Sequence, residues 1–89
     1  GDYVMNDNNK VMLYTLSTCS HCKDAKKFLN DCRVEFEFTD VDLLRGQERE
    51  NIIEKIMALN PMLTFPTIVI GEHVIVGFIE RELKEVLGL

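Results

Sequence analysis

Residues 11–29 read VMLYTLSTCSHCKDAKKFL. The first six, Val11 to Leu16, are an apolar run with β-branched and aromatic members, which is the pattern of a buried strand. The period then changes. Cys22, Ala25, Leu29 and Cys32 step by three, four and three along the chain, so they share one face of a helix, which Phe28 widens. Lys23, Lys26 and Lys27 fall off that face and read as solvated, with a second reading in which they present positive charge near the thiol. Ser17 and Thr18 both offer a hydroxyl N-cap. A strand that runs directly into a helix, with Cys19 and Cys22 at the junction, therefore organises everything around it.

Downstream, Val34, Phe36 and Phe38 alternate with Glu35, Glu37 and Thr39, which predicts a second strand within residues 33–42. A second helix is expected from Gly46 to Leu59, with Ile52, Ile53, Ile56, Met57 and Leu59 on its inner face and Asn60-Pro61 ending it. Two β runs flank Gly71-Glu72, a two-residue hairpin in which Gly supplies the positive φ. Ile79, Leu83, Val86 and Leu87 recur with helical spacing. Glu80 and Glu82 stand in the first turn of that last helix, where the dipole favours acids. The order β-α-β-α-β-β-α predicts an α/β fold with a four-stranded mixed sheet and three covering helices.

Bulk properties narrow the function. Eighty-nine residues make one domain, and 46% hydrophobic and 28% charged residues are ordinary globular usage. Residues 1–10 are polar and read as a frayed segment ahead of a domain spanning 11–89. They lack the charged-then-apolar pattern of a secretory signal. No run approaches the ~20 apolar residues of a membrane span. A net charge of −5 argues against nucleic acid or an anionic membrane as partner. Three cysteines are too few, and odd in number, for a disulfide framework. The expected compartment is the reducing cytoplasm.

The C-x-x-C at the helix start carries the chemistry. Residues three apart on a helical turn lie about 5–6 Å apart at Cβ, close to disulfide reach. A cysteine at a helix N-terminus faces unpaired N–H groups and the positive end of the dipole, which favour its thiolate. Cys19, the outer member, is the candidate nucleophile. Cys22, on the apolar stripe, is the candidate resolving thiol. A zinc site fits less well, because there is no second pair of ligands at the usual spacing. Cys32 lies ten residues past Cys22, roughly 15 Å along a helix, too far for a shared metal or a disulfide. It reads as a small core residue. His73 reads as an exposed strand residue.

The stretches YTLSTCSHCKDAKKFL and TFPTIVIGEHVIVGF together resemble the glutaredoxin family, built on the thioredoxin fold. The resemblance implies a thiol-disulfide oxidoreductase with catalytic Cys19 and Cys22. It also implies a cis bond before Pro66, and a substrate-binding edge made of Thr64, Phe65 and Pro66 with Gly77 and Phe78 nearby. Phe78 is read as a docking residue in preference to a core one. Protein disulfides or glutathione mixed disulfides would be substrates, and glutathione or a thioredoxin-reductase-type donor the source of electrons. The chain would work as a monomer without a tightly bound cofactor.

Departures from the family pattern matter here. Leu16 stands where glutathione users carry Lys or Arg. Val76-Gly77-Phe78-Ile79-Glu80 keeps one glycine where they carry two, and Gly77-Phe78 is more similar to the glutaredoxin-like electron donors of ribonucleotide reductase. Ser20-His21 replaces Pro-Tyr. An imidazolium at His21 would stabilise a neighbouring thiolate and favour the reduced form; a solvent-facing His21 would do neither. Serine at position 20 is also found in dithiol members that hold a [2Fe–2S] cluster between two subunits, so a cluster carrier is the alternative reading.

Overall fold

The computed structural model describes residues 10–89. The elements are β1 (Val11–Thr15), α1 (Ser20–Asp31), β2 (Glu37–Asp40), a single 3-10 turn (Val41–Leu43), α2 (Gly46–Leu59), β3 (Thr67–Ile70), β4 (His73–Val76) and α3 (Glu80–Leu87). They follow the expected β-α-β-α-β-β-α order. The expected frayed segment falls almost entirely outside the described residues.

The sheet runs β2-β1-β3-β4. β1 pairs with β2 in parallel across the α1 crossover, and with β3 antiparallel; β3 and β4 form the hairpin. Ile70 faces His73 across the Gly71-Glu72 turn, with Gly71 at φ 58° as a two-residue hairpin requires.

Alternation along the strands divides the core in two. Val11, Leu13, Ile68, Ile70 and Ile75 face one way and bury against Ala25, Leu29, Leu83 and Leu87, so α1 and α3 cover that side. Tyr14, with Met12 and Val69, faces the other way onto Ile52, Ile53 and Ile56 of α2. Strand period two and helix period near 3.6 thus meet on each side.

Some local expectations shift. The second strand begins at Glu37, well after Arg33. Arg33 sits at φ 59° and closes α1 instead: its N–H donates to Asn30 O at 3.0 Å, and Val34 N–H to Leu29 O at 2.9 Å. That is a Schellman closure with arginine in the left-handed position and the Val34–Leu29 contact that accompanies it. Cys32 is the C-cap and half-buried, not fully interior.

Phe38, expected inward, is 49% exposed on β2, an edge strand. Its ring packs beside Phe36, with the Lys26 ammonium 3.8 Å from its centroid. Met57 is 46% exposed, outside the α2 stripe that Ile56 anchors. Ile79 is the exposed N-cap of α3, not part of its inner face.

Leu29→Ala should destabilise the fold by about 2–5 kcal/mol, as for a fully buried leucine. Met57→Ala should change stability by no more than about 0.5 kcal/mol. Urea unfolding of both variants checks the contrast.

Candidate active site

The site forms where β1 turns into α1. Neither Ser17 nor Thr18 caps the helix; Cys19 does. Cys19 takes extended backbone angles (φ −85°, ψ 119°), and its Sγ accepts the N–H of Cys22 at 3.2 Å. The expected hydroxyl cap is therefore replaced by a sulfur cap, and one of the helix's unpaired donors points at the outer sulfur.

Ser17 has another partner. Its N–H donates to Asp42 Oδ1 at 2.8 Å, and its hydroxyl donates to the other carboxylate oxygen. These two donors hold the Asp42 carboxyl below its usual range. The loop ahead of Cys19 is thereby tied to the turn that follows β2.

Cys22 belongs to the core, with no solvent exposure. Burial, reinforced by the hydrogen bond to the Cys19 sulfur, pushes its thiol up to about 12 from an ordinary 9.0. The Leu16 backbone and the charge of Lys26 pull the other way. Lys26, read from sequence as solvated, is largely covered: its ammonium lies 3.3 Å from Asp40 Oδ1, with side chains 22% and 16% exposed. Asp40 also accepts the buried Thr15 hydroxyl at 2.6 Å. A polar cluster thus ties the ends of β1 and β2 to the turn of α1 that follows Cys22.

The second wall is the segment ahead of β3. The Phe65–Pro66 bond is cis, and the Phe65 carbonyl oxygen lies 4.0 Å from Cys19 Sγ. Pro66 is buried, Phe65 half-buried and Thr64 exposed. Gly77, at φ 89°, donates its N–H to Pro66 O at 2.8 Å, linking the end of β4 to the same segment. Phe78 is partly buried, its ring 5.8 Å from Phe28 and packed against the edge of the core. His21 faces solvent.

Two surface cavities, of about 680 and 420 Å3, involve none of these residues. The reactive surface is a sulfur beside an exposed backbone edge. Asp42, Asp40 and the Lys26–Asp40 pairing carry no local sequence signal, because the partners lie 14–25 residues apart.

The glutaredoxin family model matches residues 11–75. The chain belongs to the glutaredoxin family. No curated protein matches it significantly. Among solved structures, this glutaredoxin is similar to Methanosarcina acetivorans methanoredoxin, at 43% identity and TM-score 0.87, covering 92% of this chain and 87% of that one. It is 46% identical to a glutaredoxin from Methanosarcina mazei Go1, with TM-score 0.85 and coverage of 92% and 81%. An Archaeoglobus fulgidus glutaredoxin gives 38% identity, TM-score 0.82 and coverage of 88% and 85%. This glutaredoxin is a thiol-disulfide oxidoreductase with a Cys19–Cys22 pair. Among the described residues no helix is long and apolar enough to cross a membrane.

Because the buried Cys22 thiol holds its proton far above the value it has in the unfolded chain, the native state binds the extra proton as pH rises. The stability this contributes is complete below pH 9.0 and is lost towards about 12. Thermal unfolding of the reduced protein should therefore weaken more steeply above pH 9.0 than that of Cys22→Ala. Parallel curves would contradict the assignment.

Proposed function

We propose that this glutaredoxin reduces disulfides of protein substrates by a two-thiol exchange in which Cys19 attacks and Cys22 resolves. The observation that carries this reading is the asymmetry of the pair: Cys19 is partly exposed and accepts an N–H, whereas Cys22 is sealed in the core. Cys19, as thiolate, attacks one sulfur of the substrate disulfide. A Cys19–substrate mixed disulfide forms, and the other substrate sulfur leaves as a thiolate and takes up a proton. Cys22 then gives up its proton and attacks Cys19 Sγ. The Cys19–Cys22 disulfide forms, the second substrate thiolate leaves, and two electrons have passed to the substrate.

The high Cys22 value has a role in this order of events. A resolving thiol held protonated does not compete for the substrate, and Lys26 provides the positive charge that favours its thiolate when the mixed disulfide is in place. Thr64, Phe65 and Pro66 supply the substrate edge beside Cys19, with Gly77 supporting it. Phe78, partly buried, lies directly after Gly77 and is read as a docking residue for substrate.

The oxidised pair returns to the dithiol by accepting two electrons from an external donor. Leu16 and the single glycine at Gly77 favour a thioredoxin-reductase-type donor over glutathione, in line with the likeness to the ribonucleotide reductase donors. A [2Fe–2S] cluster is not favoured. A cluster between two subunits takes one Cys19 from each chain and completes its ligands with glutathione, and the departures at Leu16 and Gly77 count against a glutathione site.

Cys19→Ser should abolish disulfide reduction, and Cys22→Ser should stop at a mixed disulfide detectable by mass spectrometry. Retained turnover in Cys19→Ser contradicts the mechanism. Reduction of the oxidised wild type should be faster with a thioredoxin reductase system than with glutathione; the reverse order assigns glutathione as donor.

A further inference from the structure

The segment that brings Phe65 to Cys19 has no regular structure of its own. It leaves α2 at Asn60, passes through Leu63 at φ 50°, crosses the cis Phe65–Pro66 bond and enters β3 at Thr67. A stretch of this kind keeps one shape when groups outside it fix both ends.

The Asn60 side chain does this. The residue is 2% exposed, and its carboxamide is fully engaged. Nδ2 donates to Thr64 O at 3.2 Å, to Thr64 Oγ1 at 3.1 Å and to Thr67 Oγ1 at 3.0 Å. Oδ1 accepts the Met62 N–H at 3.2 Å. Thr67 Oγ1 adds a second donor to Thr64 O, at 2.8 Å.

The two donors on Thr64 O decide a direction. In a planar trans peptide the carbonyl and the following N–H point opposite ways. With the Thr64 carbonyl held inward by Asn60 and Thr67, the Phe65 N–H is turned outward. It has no acceptor among the described residues, and the carbonyl of the same residue lies 4.0 Å from Cys19 Sγ.

We infer that Asn60 is a positioning residue for substrate: its carboxamide pins the Thr64 carbonyl inward and so presents the Phe65 N–H to the backbone carbonyl of a substrate segment whose cystine reaches Cys19. The inference rests on the exchange reaction proposed above. Strand-like pairing of this edge with the substrate backbone is what the family resemblance already implies; Asn60 is the side chain that aims it. A disulfide without an amide gains nothing from Asn60.

The test compares single-turnover oxidation of the reduced protein by a peptide disulfide and by bis(2-hydroxyethyl) disulfide, which has no amide. Asn60→Ala should slow the peptide reaction about tenfold, the scale of one lost positioned hydrogen bond, and leave the hydroxyethyl reaction within about twofold. Equal slowing of both, or an unchanged peptide rate, overturns the inference. If Asn60→Ala does not fold by circular dichroism, Thr67→Val removes the second donor to the same carbonyl at nearly constant volume. It should slow the peptide reaction alone, by about threefold, with Thr67→Ser restoring the rate. Cys19→Ser should stop both reactions. If it does not, the reading of the cysteine pair fails, which is distinct from a failure at Asn60.

Discussion

The hydrogen bond from the Cys22 N–H to the Cys19 sulfur can exist only because Cys22 is packed into the core. Cys22, Ala25 and Leu29 form the buried stripe of α1, and burial of that stripe against the sheet sets the rotation of the helix about its axis. With the rotation set, the first turn can direct its unpaired N–H groups at one sulfur only. The hydrophobic effect, which has no direction of its own, is converted by helical periodicity into an aimed electrostatic arrangement. The same packing separates two chemically identical side chains into an outer thiol that meets solvent and an inner one that does not.

Much of the fold was legible because each element's period agreed with its surroundings. The limits of α2 and the Gly71-Glu72 hairpin follow from Gly46, Asn60-Pro61 and Gly71, where the chain punctuates itself. The errors share a cause. The sequence around Arg33 alternates like a strand, but the Val34–Leu29 contact needed to close α1 takes those residues first. Phe38 has strand chemistry and lies in a strand, yet at the edge it stays half-exposed. Alternation reports which residues share a face; it does not report whether anything packs on that face.

The site divides the same way. The cysteine pair and the Thr64-Phe65-Pro66 segment are local patterns, and the structure brings them within 4.0 Å of one another. The groups that hold the loops in place are not local. Ser17 looks like a helix cap because caps are short polar residues before an apolar stripe, but an acid from the turn after the neighbouring parallel strand claims it. Lys26 looks solvated because its position lies off the stripe, but Asp40 reaches it from the sheet edge. Asn60 reads as a helix stop, and it is one; its carboxamide has a second occupation that no spacing rule exposes.

The hairpin turn is the counterpart of all this. The register places Tyr14 opposite Thr67 and Thr67 opposite Val76 at the reactive end, while Val11, Ile70 and His73 lie together at the other. Gly71-Glu72 therefore sits at the far pole of the sheet, closed by the Ile70–His73 pair and by the Gly71 N–H to Lys10 carbonyl bond of 3.3 Å. Among the described residues, that pole carries no part of the thiol machinery. It is the place where the chain can be lengthened, tagged or tethered to a surface while the cysteines stay free to meet their substrate.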